Sequence, residues 1–307
     1  MAFGSGDQTA TTRTATTGTA ATGTATTGRR GVFLAALERR GGQNQGVPVE
    51  RGYVEPGYVE WRPRYSPPDH VRCVWVSRPS GGPDDRVLPD ACIDVVWDGA
   101  RLFVAGPDTG PTPVIAPPGT AYAGVRFRPG RAPAFLGPPA SALLDTRIGL
   151  ADLWGEAMAA RLAEELALAT DPAAAAHALD QAVADRARAA GTDQARPSPD
   201  PMVDALVDLL WRQPPSMGAV HAASRQLSVG ERRLYRRCCR AVGYGPKTLE
   251  RVLRFQRALR LAGQTSSLAV LAARAGYADQ AHLNRESRRL GGTTPSDLFK
   301  TGPAAVP

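Results

Sequence analysis

Two stretches hold the side chains best suited to meeting a partner: ERRLYRRCCRAVGYGP at 231–246 and QAHLNRESRRLGGTTP at 280–295. If each is helical, Leu234, Cys238 and Val242, spaced i, i+4 and i+8, fall on one stripe and Arg232, Tyr235, Arg236 and Cys239 on the opposite one. In the second stretch Leu283, Ser287 and Leu290 turn inward, and Gln280, Ala281, Asn284, Arg285 and Arg288 turn outward. These outward types match the edges of bases in a major groove. A guanidinium fork bonds O6 and N7 of guanine together, Gln and Asn pair with adenine, and the Ala methyl meets the thymine methyl. Neighbouring arginines suit phosphate oxygens. On a single helix such a stripe is ordinarily only a solvated face, so its repetition is what gives it weight.

Charge supports the second point. Residues 200–300 hold 17 Lys and Arg against 8 Asp and Glu, a surplus of nine, whereas residues 1–199 hold 20 against 21. The whole net charge of +8 therefore resides in the last third of the 307 residues, as expected of a separate polyanion-binding module. No strongly apolar face accompanies these arginines, which argues against a lipid surface as the polyanion.

The elements that must position these side chains are helices, read at 201–212, 216–226, 231–242, 247–262, 267–275, 280–290 and 295–299. Seven helices form an all-α domain over 202–300. Within it one arrangement occurs twice: a helix, a tight turn, an Arg-rich helix, then a Gly-Pro element. Gly230 and Asp279 are the expected N-caps of the two Arg-rich helices.

The second copy resembles the signature of the AraC family of transcription regulators: LA, then Gly276 and Tyr277, Leu283, Arg285, Arg288, Gly292 and Pro295 at matching intervals. The first copy matches more loosely through Leu234, Arg236, Gly243 and Pro246. The resemblance covers about 217–299 and implies two helix-turn-helix motifs fixed by one linking helix, each inserting its second helix into successive major grooves of double-stranded DNA. It implies base reading by Arg232, Tyr235 and Arg236, and by Gln280, Ala281, Asn284 and Arg285, with Arg288 nearer the backbone. Where the family usually has a core phenylalanine, this chain has Ser287, and Cys238 replaces a larger aromatic.

Ahead of this domain, VRCVWV, CIDVVW, RLFVAG and AGVRFRP read as short strands between Pro, Gly and Asp, followed from about 131 by Ala- and Leu-rich helical segments. The fold class is therefore α+β: a β-rich domain with following helices over 58–190, a Pro-rich linker at 191–201, then the helical domain. LPDACIDVVWDG, FVAGPDT and GVRFRPG resemble an N-terminal domain found ahead of AraC-type motifs in actinobacterial regulators, which implies effector sensing or pairing of subunits. A small-molecule effector and a second copy of the chain are thus further expected partners. Asp90, Asp94, Trp97 and Arg126 are candidates for lining a pocket there, although turn carboxylates, a core Trp and a surface Arg are the plainer reading. Residues 1–57, dominated at 5–28 by Thr, Ala and Gly, read as a disordered low-complexity tail.

No apolar run approaches the roughly 20 residues of a membrane span, and the N-terminus lacks a secretory signal. Four cysteines make no disulfide framework, so a reducing, cytoplasmic setting is expected. His70, Cys73 and Cys92 lack the paired spacing of a metal site, and no cofactor is called for. An AraC-like module fused to a DNA alkylation-repair protein is an alternative, but its Pro-Cys-His-Arg acceptor motif is absent, and no catalysis is expected. Nonspecific DNA binding is a further alternative.

Overall fold

The computed structural model describes residues 57–82, 85–117, 119–190, 198–212 and 218–299, with the backbone of two strands at 32–33 and 51–55. The remainder of the expected 1–57 tail, and residues 191–197 of the expected linker, lie outside the described residues.

The strands are β1 (Val32–Phe33), β2 (Arg51–Glu55), β3 (Tyr58–Trp61), β4 (Val71–Ser77), β5 (Arg86–Val87), β6 (Asp94–Trp97), β7 (Leu102–Ala105), β8 (Thr112–Pro113), β9 (Tyr122–Phe127) and β10 (Arg147–Gly149). Seven form an antiparallel sheet in the order β10-β7-β6-β9-β4-β3-β2, and β1, β5 and β8 form a small second sheet. The four segments read as strands correspond to β4, β6, β7 and β9.

Alternation along the strands sorts their side chains onto two different surfaces. Val74 and Val76 of β4, Val95 and Trp97 of β6, and Val125 and Phe127 of β9 face helices α3 (Glu156–Ala167) and α4 (Pro172–Ala190), where Leu162, Leu166, Leu179 and Val183 complete one apolar core. The short α1 (Pro133–Leu136) and α2 (Leu150–Trp154) join the same layer. Asp180 of α4, fully buried, accepts backbone N–H bonds from Arg64, Tyr65 and Ser66 at 2.7, 2.9 and 3.1 Å, fastening the loop after β3 to the helix layer. The opposite face carries Tyr58, Cys73, Trp75 and Val96, with Phe103, Ala105 and Tyr122 packed beside them.

The helical domain comprises α5 (Pro201–Arg212), α6 (Ala219–Gln226), α7 (Glu231–Val242), α8 (Pro246–Leu261), α9 (Leu268–Ala275), α10 (Gln280–Gly291) and α11 (Pro295–Phe299). The α+β class and the succession of seven helices agree with the sequence reading. α8 starts one residue earlier than read, at Pro246, because a ring with fixed φ and no N–H is well suited to the first helical turn. Val203, Leu206, Leu234, Leu249, Leu253 and Phe255 meet in one core, and Leu88 and Ala91 from the β-rich region belong to it. Gln256, fully buried on α8, donates from Nε2 to Pro89 O at 2.7 Å, and Arg131 pairs with Asp204 at 2.8 Å. The two regions thus share core as well as polar contacts. Among the described residues no helix is long and apolar enough to cross a membrane.

Candidate nucleic-acid interface

The two helix pairs repeat with a constant offset. α6 and α9 each have eight residues, α7 and α10 each have twelve, and the copies begin 49 residues apart, at 219 and 268 and at 231 and 280. The same offset relates Leu234 to Leu283, Cys238 to Ser287, Gly243 to Gly292 and Pro246 to Pro295. All four inward residues are buried: Leu234, Cys238, Leu283 and Ser287 each have no exposed surface. Burial and the neighbouring Cys239 raise the Cys238 thiol above its ordinary value, leaving it a small core residue.

Capping sets where each Arg-rich helix begins. Asp279 accepts the His282 N–H at 2.6 Å and so satisfies one of the free donors in the first turn of α10. Gly230 occupies the equivalent place before α7 in an extended conformation, without a side-chain bond. The intervening turns are closed by Val229 N to Ser224 O at 3.0 Å and Tyr277 N to Ala272 O at 2.8 Å. Both α7 and α10 end on a left-handed glycine, Gly243 and Gly292.

The outward stripes are equally regular. Arg232, Tyr235 and Arg236 on α7, and Gln280, Ala281, Arg285 and Arg288 on α10, are exposed, while Asn284 is half-buried. The 49-residue offset aligns Arg232 with Ala281, Tyr235 with Asn284 and Arg236 with Arg285. Tyr235 is steadied by a close approach to the backbone: a Cβ at Gly245 would lie 2.3 Å from its Cε2, so the ring rests where only glycine leaves room. Arg233, Arg240 and Arg289 are also exposed beside the stripes. The sequence reading did not select them, and the only signal for them is their charge.

Other arginines are engaged internally. Arg237 bonds Asp200 through two nitrogens, both at 2.6 Å, and Arg251 grips Glu286 of α10 at 2.9 and 2.8 Å. Arg254 pairs with Glu250 along α8, and Arg260 lies 4.0 Å from the centre of the Trp211 ring. The charge surplus therefore divides into arginines that fasten α7 and α10 to their supports and arginines that face solvent.

The four pocket candidates of the β-rich region separate. Arg126 bonds Asp94 through Nε and Nη2 at 3.0 and 2.8 Å, and its Nε lies 3.5 Å from Asp90. Burial pushes the Asp94 carboxyl up, and the guanidinium opposes that shift. Asp94 and Arg126 line a cavity of about 670 Å³, whereas Trp97, on the other face of the sheet, belongs to the helix-packed core. The cavity's aromatic lining was missed by the sequence reading; its signal was the alternate residues of β4 and β9. His70 packs edge-on to Phe135, and Cys73 lies 3.5 Å from Glu60. Among the described residues no three His, Cys, Asp or Glu side chains converge as metal ligands.

Residues 223–301 match a family described as a helix-turn-helix domain, and residues 61–149 match a domain of unknown function, DUF6597. The C-terminal part is thus an AraC-type helix-turn-helix domain preceded by a domain without assigned function. No curated protein matches the chain. Two crystal structures of ToxT from Vibrio cholerae are similar at low level. One, an apo variant, is 9% identical with a TM-score of 0.37, covering 71% of this chain and 92% of its own. The other is 11% identical with a TM-score of 0.38, covering 70% and 86%.

Proposed function

From the helix-turn-helix domain carried by residues 223–301, we propose that this protein is a sequence-specific DNA-binding regulator of transcription. The observation that carries the reading is the repeat itself: two twelve-residue helices with the same buried positions, the same C-terminal glycines and outward stripes aligned by one offset. α7 and α10 enter successive major grooves on one face of double-stranded DNA. Arg232, Tyr235 and Arg236 read one half-site; Gln280, Ala281, Asn284 and Arg285 read the other, and Arg288 holds phosphate. The internal ion pairs of Arg237 and Arg251 fix the relative placement of the two helices, so little ordering is left for binding to supply.

The chain performs no reaction of its own in this reading. Burial raises the thiols of Cys73, Cys92 and Cys238, the opposite of what activates an alkyl-accepting cysteine. Residues 58–190 tune the output by sensing a small molecule or by pairing two copies of the chain.

Selection of bound duplexes from a random pool, followed by footprinting of the best, tests this. The expected result is a bipartite consensus with two protected patches about 10 bp apart on one face. Uniform binding without enrichment would reduce the protein to a nonspecific DNA binder and overturn the reading.

A further inference from the structure

We propose that the cavity on the open face of the seven-stranded sheet binds an uncharged, ring-bearing apolar molecule, and that β5 and β8 transmit its occupancy to the end of α10. The cavity's volume, about 670 Å³, lies within the roughly 300–1,000 Å³ of small-molecule sites. Tyr58, Trp75, Phe103 and Tyr122 supply aromatic surface. At its rim Ile115 is 93% exposed, an apolar side chain held in water where a ligand would cover it.

The absence of charge follows from the arginines in the wall. Arg126 is paired with Asp94, Arg147 with Asp108 and Arg101 with Asp98, each at 2.8 Å. Each guanidinium is already neutralised by its carboxylate, so an anionic ligand meets little net positive charge, and a cation gains no free counter-charge.

The route to α10 is short. Val87 of β5 and Thr112 and Pro113 of β8 line the cavity. On the same strand Arg86 donates from Nη1 to Gly291 O at 3.1 Å, satisfying a carbonyl in the last turn of α10 with a cation at the negative end of the helix. Pro111, one residue before β8, closes against Gly292, where a Cβ would lie 3.1 Å from its Cγ. Gly292 is also left-handed, with φ of +73°, so any side chain there is both strained and obstructed. A ligand that steadies β5 and β8 steadies the C-terminal cap of α10 and, through it, the angle at which that helix is presented.

The consequence at DNA rests on the regulator reading, but ligand binding and its effect on α10 are measured without DNA, so the two fail separately. The probe is N-phenyl-1-naphthylamine, a neutral three-ring amine whose emission rises in apolar sites, titrated into the full chain. Saturable binding is expected, with energy transfer from tryptophan. Ala105→Trp, which fills the cavity, should abolish it, and Phe103→Ala, should the first variant fail to fold, should weaken it roughly tenfold. Amide exchange at 288–292 should slow about threefold with bound probe in the native chain and stay unchanged in Arg86→Ala, which keeps probe affinity. No saturable binding, or binding indifferent to whichever cavity variant folds, overturns the site. Binding without protection at 288–292, or equal protection in Arg86→Ala, overturns the coupling.

Discussion

Replacing Arg285 and Arg288 separately by alanine is the sharpest perturbation of the proposed interface, because the two lie on one helix three residues apart and are assigned different partners. Both are exposed, and among the described residues neither makes an ion pair, unlike Glu286 between them, which is held by Arg251. Truncation therefore breaks no internal bond, and folding stability should change by less than about 0.5 kcal/mol. The binding change then reads the lost DNA contact directly. For Arg285→Ala, loss of a bidentate guanine contact costs about 1–3 kcal/mol, or roughly 5- to 150-fold in Kd on the selected site, with a much smaller effect on scrambled duplex. Arg288 lies one turn nearer the C-terminus of α10, where the proposed docking sets the side chain against phosphate. Arg288→Ala should weaken both duplexes alike and reduce the slope of log affinity against log salt by about 0.9. Fluorescence-anisotropy titrations at four salt concentrations on both duplexes supply all these quantities. Equal loss for Arg285→Ala on both duplexes, or a specific loss for Arg288→Ala, would refute the assignment of base reading and phosphate holding along α10.

Three further outcomes follow from the geometry. Ser287 is fully buried and its hydroxyl has no partner among the described residues, so Ser287→Ala should stabilise the chain by roughly 1 kcal/mol through removal of that hydroxyl and better helix propensity, read as a higher Tm; a lower Tm would count against the packing described for α10. Burial and, secondarily, the nearby Arg131 hold His70 below its ordinary value of 6.5, so the unfolded chain takes up the proton first. Its neutral form stabilises fully above 6.5, and that contribution is lost as pH falls from there through the lower folded value; urea midpoints of the native chain should drop over this window more steeply than those of His70→Gln. Gly245→Ala drives a methyl into the Tyr235 ring, which is free to swing outward, so DNA affinity should fall in the anisotropy assay while Tm shifts by only a few degrees.

Local chemistry is what made the helical third legible. A 3.6-residue period of leucines, capping residues at Gly230 and Asp279 and terminal glycines are properties of short segments, and a charge surplus confined to 200–300 needs no fold to be counted. The same holds for β4, β6, β7 and β9, whose β-branched and aromatic content is bounded by turn residues. Which face of each strand would meet helices was not legible, since alternating Val and aromatic residues are apolar on both sides, and Trp97 and Trp75 could have exchanged roles. Nor could spacing reveal that Gln256 reaches Pro89 or Arg86 reaches Gly291, contacts that span 167 and 205 residues. The sequence by itself determined the seven C-terminal helices, four strands, their order and the outward stripes of α7 and α10, because those follow from interactions within a few residues. Only the tertiary structure decided that the two regions share a core and that Arg86 beside the cavity reaches the end of α10, because such contacts arise when distant segments bury apolar surface together and their remaining polar groups must find partners where they land.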